Sequence, residues 1–307
     1  MTAQRQGLGI ALVLAMGACF AVSDTLIKYL GAWLPVLFLL WARYAIQAGA
    51  MAIWLARKGW RGFATAHPKF QWARGALLLV TSGMSFFGLQ RMPVAEFTAL
   101  GMLTPVVVTM LAAWVLHEPV SKMRWALVCG GFVGAVIVIR PGSGVFGWAA
   151  IFPLLMALCY GCFQVLTSRL ASLESPYTTH FYTGFSGAML VTPLLLFHAG
   201  DHVAAVQAAP ASKLLLVLGI GAFATTGHLF LIFAFGRAPM ATLMPFVYTQ
   251  IAFALAVSFV VFRHLPDGWA WVGMAVIAAC GAVSAWLNAS GARQKPGSIV
   301  GADTTYD

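Results

Sequence analysis

The chain has 307 residues, 61% of them hydrophobic and 8% charged, whereas soluble domains carry about a quarter charged residues. That mixture cannot cover a water-facing surface, so a soluble globular domain is excluded, while a surface turned to lipid needs no such cover. The formal net charge of +10 resides in bases scattered between apolar segments, not gathered on one helix face, which argues against a nucleic-acid partner.

A spanning helix needs about 20 mostly apolar residues, and such segments recur along the whole sequence. In chain order the predicted spans are 8–29, 34–56, 73–91, 94–116 and 123–140, then 147–169, 178–198, 213–236, 240–262 and 268–289. The fold class is therefore all-α, a polytopic membrane protein of about ten transmembrane helices. The first segment follows Arg5 but lacks a small-residue cleavage site and carries Asp24 and Lys28, so it reads as a retained helix and not a cleaved leader. Residues 291–307 are polar and small and are expected to form a disordered cytoplasmic tail.

Basic residues near span ends set orientation. With the N-terminus inside, the cytoplasmic side collects Arg5, Arg57, Lys58, Arg61, Lys69, Arg74, Lys122, Arg124, Arg169, Arg237, Arg293 and Lys295, against Lys28, Arg91, Arg140, Lys213 and Arg263 outside. Both termini are expected in the cytoplasm. Cys19, Cys129, Cys159, Cys162 and Cys280 all fall in apolar stretches, so no disulfide framework is indicated, and the Cys159/Cys162 spacing reads as packing.

The chain repeats itself. Arg91 and Pro93 correspond to Arg237 and Pro239 at an offset of 146, and His117, Pro119 and Gly134 to His264, Pro266 and Gly281 at 147. A repeat of five helices enters the membrane from opposite sides in its two copies. Residues 1–142 and 143–290 are therefore expected to form inverted five-helix repeats around a site near the midplane, as in many secondary transporters.

Particular stretches carry a family resemblance: FAVSDTLIKYL ending the first span, Arg43 in LLWARYAIQ, Arg91-Met92-Pro93, the HEPVSKMRW turn and GGFVGAVIVIRPG. In these the chain resembles the drug/metabolite transporter superfamily, in particular proteins with two EamA domains, over nearly its whole length. The resemblance implies a bacterial inner-membrane carrier, similar to S-adenosylmethionine or riboflavin uptake carriers, with amino-acid exporters as cousins. The second copy departs from the pattern, with Leu265 where the first has Glu118.

A charge at mid-bilayer costs at least about 2.5–3.5 kcal/mol on insertion scales, so a retained one faces a cavity or a partner. Asp24, Arg43 and Glu96 are the candidates. Arg43 shares a helix face with Gln47, and Trp41 and Tyr44 share the next. Arg43 either pairs with Asp24 or Glu96 to hold helices together, or meets a substrate carboxylate or phosphate while the aromatics cover its flat part. Asp24 either neutralises Lys28, four residues on, or draws a cationic substrate group or a coupling proton. Glu96 also reads as an acid in the first turn of its helix, favoured by the dipole. The second half offers neutral groups instead: Tyr160 and Gln164, Thr225 and His228, and Tyr248 with Gln250. The expected substrate-binding set is Asp24, Trp41, Arg43, Tyr44, Gln47, Glu96, Gln164, His228, Tyr248 and Gln250. Prolines 93, 105, 153, 193, 239 and 245 lie in or at the ends of spans, where membrane helices tolerate them. Gly130 and Gly134 read as a helix-packing pair.

No GxxxxGK[S/T] phosphate loop, aspartate cluster or HExxH occurs in the sequence, so neither an enzyme, a cofactor nor a metal is expected. The expected partners are a small-molecule substrate and the lipid bilayer, with coupling to a proton or to exchange, in a monomer or homodimer. An exporter of amino acids or drugs, and more distantly a channel, receptor or intramembrane enzyme, stay open as alternatives.

Overall fold

The structure, a computed structural model, describes residues 3–104, 106–107, 122–140, 146–170, 173–238, 243 and 246–293. Among these residues all regular structure is helical: α1 (Ala3–Leu30), α2 (Val36–Lys58), α3 (Pro68–Leu89), α4 (Val94–Gly101), α5 (Lys122–Ile139), α6 (Ile151–Leu170), α7 (Pro176–Phe197), α8 (Ala199–Ala208), α9 (Ala211–Phe235), α10 (Thr249–Phe262) and α11 (Gly268–Arg293). Short 3-10 turns at Trp60–Phe63 and Gly147–Ala150 precede α3 and α6.

Proline sets many of the starts. Pro68 and Pro176 open α3 and α7, and Pro35, Pro93 and Pro210 stand immediately before α2, α4 and α9. There the missing N–H would have had no helical acceptor, and the fixed φ is already helical. α2 stops at Gly59, whose φ of 102° suits a residue without Cβ.

Among the described residues six helices are long and apolar enough to cross a membrane: Gln6–Leu30, Val36–Lys58, Pro68–Leu89, Gly147–Thr167, Pro176–Phe197 and Ala211–Phe235. Trp125–Ile139, Thr249–Phe262 and Gly268–Val283 are shorter apolar helices. The predicted spans 94–116 and 240–262 run into residues outside the described set, as do Pro105, Pro239, Pro245 and the turn holding His117, Glu118 and Pro119. α8 occupies a stretch for which the sequence predicts only a connection. α11 continues to Arg293, three residues into the segment expected to be a disordered tail, because Ala292 and Arg293 are good helix formers; residues 294–307 lie outside the described set.

Helices of the first part pack mainly against helices of the second. α1 lies on α9 and α10, α2 on α7 and α9, α3 on α6 and α7, α4 on α10 and α6, and α5 on α11. Small residues make the closest seams, since lipid supplies no hydrophobic drive between helices and backbones must touch. A Cβ on Gly184 of α7 would stand 2.7 Å from the Ala48 backbone nitrogen of α2. One on Gly134 of α5 would stand 3.0 Å from the Gly273 carbonyl of α11, and one on Gly130 2.6 Å from Cys280 Sγ. Val260, Leu194 and Leu215 point outward, more than half exposed, as lipid-facing side chains do.

Candidate transport site

Where α1, α2, α3, α4, α6, α9 and α10 converge, they enclose a cavity of about 110 Å³, room for several waters. Asp24 enters its wall from α1, Arg43 from α2, Ser82 from α3, Thr98 from α4, Gln164 from α6 and His228 from α9. Phe20, Phe86, Phe97, Met16, Met102 and Met156 cover the rest of a mostly apolar surface. Soft thioethers beside aromatic rings adapt to flat ligands.

Arg43 is 6% exposed, and its Nη1 donates to Ser82 Oγ at 2.5 Å. Tyr44 donates its hydroxyl proton to the Leu78 carbonyl at 2.8 Å. Its contact with Ser82 Oγ, also 2.8 Å, therefore takes the serine proton, leaving Ser82 to accept from Arg43. The Arg43 guanidinium also lies 5.0 Å from the Tyr44 ring centroid. Gly187 of α7 holds Tyr44 in place, since a Cβ there would stand 2.6 Å from Tyr44 Cγ. One serine and one tyrosine thus aim a guanidinium into the chamber.

Asp24 is half-buried on the same wall and does not pair with Lys28. Lys28 instead donates to the carbonyls of Leu89 and Met92, each at 2.8 Å, at the open C-terminal end of α3, where orphan carbonyls attract a cation. Among the described residues no ion pair joins Arg43 to Asp24 or Glu96, so a structural ion pair does not account for Arg43.

Of the expected set, the structure brings Asp24, Arg43, Gln164, His228 and Gln250 to one wall. Trp41, Tyr44, Gln47, Glu96 and Tyr248 do not line the cavity. Trp41 donates its indole N–H to Thr192 Oγ1 at 3.0 Å across the α2–α7 seam. Gln47, fully buried, donates to the His180 carbonyl at 3.0 Å and lies 3.3 Å from His180 Nδ1. Tyr248 packs over Gly281 of α11. Glu96 is 3% exposed in the first turn of α4, with Oε1 3.6 Å from His264 Nε2, an end-of-bundle position suited to the helix dipole.

The sequence reading misplaces Arg74. Expected at the cytoplasmic interface, it is 1% exposed, two turns into α3. Its Nε donates to Thr167 Oγ1 at 2.8 Å and its Nη1 to the Thr179 carbonyl at 3.1 Å and to Thr183 Oγ1. Its guanidinium covers Phe163 at 4.7 Å. It stands one residue inside the predicted span 73–91, where a base counts with those that mark a span end. The overlooked signal is a polar stripe on α3, Gln71, Arg74, Thr81, Ser82 and Ser85, at helical spacing. A matching stripe on α7, Thr179, Thr183 and Ser186, meets it.

Apolar helices, outward-facing aliphatics and a central chamber with opposed charges define a membrane transport protein. The sequence profile of the EamA-like transporter family matches residues 7–140 and 147–285, and the chain belongs to that family, a transporter family and not an enzyme family, within the drug/metabolite transporter superfamily. It is 30% identical over 224 residues to a riboflavin transporter of Rhizobium johnstonii, covering 73% of this chain and 72% of the relative. It is 22% identical over 248 residues to an S-adenosylmethionine uptake transporter of Rickettsia prowazekii, covering 80% and 82%. A solved crystal structure shares the fold with a TM-score of 0.61 at 19% identity, covering 95% of this chain and 99% of the other.

Proposed function

We propose that the chain is a secondary carrier. It moves a small nitrogen-containing metabolite, of the riboflavin, S-adenosylmethionine or amino-acid class, across a bacterial inner membrane by alternating access. The observation that carries this reading is the chamber wall itself, where Arg43 and Asp24 present opposite charges with neither held in an ion pair among the described residues. Such groups persist in apolar surroundings where a ligand or ion uses them. The aromatic and methionine lining suits a flat ring between the two charges. The names of the bacterial relatives support both the substrate class and the membrane.

Inverted repeats over 1–142 and 143–290 find support in the packing. Exchanging the halves pairs α1 with α6, α2 with α7, α3 with α9, α4 with α10 and α5 with α11. The contact α1–α9 then becomes α3–α6, α2–α9 becomes α3–α7, and α1–α10 becomes α4–α6, while α2–α7, α4–α10 and α5–α11 map onto themselves. A bundle packed this way can rock about the chamber. The excess of basic residues on one side supports cytoplasmic termini even with Arg74 removed from the tally.

The test is uptake of labelled riboflavin, S-adenosylmethionine and amino acids into proteoliposomes under imposed proton and exchange gradients. The carrier reading expects at least one compound to enter saturably and to fail with Asp24→Asn; entry of none under any gradient contradicts it.

A further inference from the structure

The chamber is not the only buried polar compartment. Below it, toward the end of the bundle that carries the α2–α3 loop, Arg74 sits in a layer built by α2, α3, α6 and α7 and absent from the cavity wall. Its hydrogen-bond and ring partners are neutral: two threonine hydroxyls, one carbonyl and one ring face. None of the ion pairs among the described residues includes it. A positive charge is thus buried among neutral polar groups without a counter-charge, an arrangement costly in a membrane.

The layer also holds orphan polar atoms. Gln47 Oε1, Gln71 Oε1 and His180 Nε2 are buried and make no well-formed hydrogen bond, and His228 Nε2, in the adjoining chamber wall, makes none either. Their hydrogen-bond pattern assigns the protons. Gln47 Nε2 can only donate, so His180 Nδ1 accepts from it and Nε2 carries the hydrogen; that buried N–H turns toward the Thr225 backbone of α9 without making a well-formed hydrogen bond. His228 Nδ1 faces the Ala224 carbonyl at 2.9 Å and donates to it. The two histidine rings stack with centroids 6.1 Å apart.

These groups form a continuous path. Gln47 is one turn from Arg43 on α2 and bonds His180; Thr179 and Thr183, next to His180 on α7, bond Arg74. Arg74 precedes Ser82, the partner of Arg43, by eight residues on α3, about 12 Å along the helix. Arg43 therefore stands on the side of the bundle where α2 begins, and Arg74 on the side where α3 begins.

We infer that the layer around Arg74 and His180 is a second anion site. It receives the carboxylate or phosphate group of the carried metabolite from Arg43 when the chamber opens toward the α2–α3 loop. The inference rests on the carrier reading and adds that the cargo bears an anionic group. An anion there would supply the missing counter-charge of Arg74 and a stronger acceptor for His180 Nε2–H than the Thr225 backbone provides.

The test uses the full chain in membrane vesicles, with Gln71→Cys placing a thiol one turn from Arg74 toward the loop end. Modification is read at position 71 by mass spectrometry, with an anionic sulfonatoethyl and a cationic trimethylammonioethyl methanethiosulfonate as probes. The anionic probe should react about tenfold faster than the cationic one. The bias should persist with Arg74→Lys and disappear with Arg74→Gln. Equal rates, a bias that survives Arg74→Gln, or no reaction from either face would overturn the inference, the last by making the layer a sealed structural element. If Arg74→Gln does not fold, the ratio of the two rates in the single Gln71→Cys protein still decides. In proteoliposomes, Arg74→Gln should lower maximal uptake at least tenfold with substrate Kd changed less than about threefold. Failure of the carrier reading shows separately, as absence of uptake by the unsubstituted protein.

Discussion

Replacing Arg43 by Gln separates a binding role from a structural one. Burying the guanidinium costs about 2.5–3.5 kcal/mol on insertion scales. Against this stand one charge-assisted hydrogen bond to Ser82, worth about 1.5–3 kcal/mol, and the contact with the Tyr44 ring, worth about 0.5–2 kcal/mol. The terms cancel to within about 2 kcal/mol, and Gln can still bond Ser82, so Arg43→Gln should leave the melting temperature within a few degrees. A substrate anion would lose a charge-assisted bond of about 1.5–3 kcal/mol, raising the KM for uptake about 10- to 150-fold. The assay is initial uptake rate against substrate concentration in proteoliposomes, with a thermal melt of the same preparations. A melting temperature that collapses while the residual folded fraction transports with unchanged KM would refute the reasoning and make Arg43 a packing residue.

Further outcomes follow from the same geometry. Asp24→Asn should abolish or strongly slow uptake with a normal melt, whereas Lys28→Met should lower the melt by leaving the Leu89 and Met92 carbonyls open, about 1–3 kcal/mol, and affect KM little. Gly187→Leu should force Tyr44 from Ser82 and destabilise the α2–α7 seam by about 1–3 kcal/mol, read by chemical unfolding in detergent, while Gly49→Ala, with open space around it, should be neutral. Outside the spans, Glu174 should make stability pH-dependent. Partial burial works to raise its pKa, but hydrogen bonds from Thr65, His67 and the backbone N–H groups of His67 and Ala66 outweigh it and hold the carboxyl below its ordinary value. A depressed folded-state pKa contributes stability that is full above the unfolded value of about 4.3 and is lost as pH falls through the folded one. The difference in unfolding midpoint between the native chain and Glu174→Gln should therefore be constant at neutral pH and vanish in acid; a difference that grows in acid would reverse the assignment.

The helices were legible because lipid makes hydropathy an almost complete statement of burial, and prolines punctuate the starts. α2, α7 and α9 lie within about two residues of their predicted ranges, while α1 begins at Ala3, ahead of its predicted start at residue 8. The amphipathic connection α8 was not, since ten residues with mixed polarity carry no span signal. For the site, rarity was informative: a charge amid apolar residues pointed to Asp24 and Arg43, and both line the chamber. Rarity cannot say which way a side chain turns around its helix. Gln47 and Tyr44 lie near Arg43 in sequence and space, yet one bonds His180 and the other supports Ser82. Arg74 escaped because a base near a span end is assigned to the interface by default, and only the polar stripe along α3 reveals that its face turns inward.

The central claim, a chamber that exchanges its contents between the two sides through Arg43 and Asp24, is tested most directly by counterflow. Proteoliposomes preloaded with unlabelled substrate and diluted into trace label, with no ion gradient, should accumulate label transiently above equilibrium for at least one compound among riboflavin, S-adenosylmethionine and the amino acids. Asp24→Asn and Arg43→Gln should each remove the overshoot. Label that merely equilibrates without overshoot for every compound, or an overshoot unchanged in both variants, would contradict it.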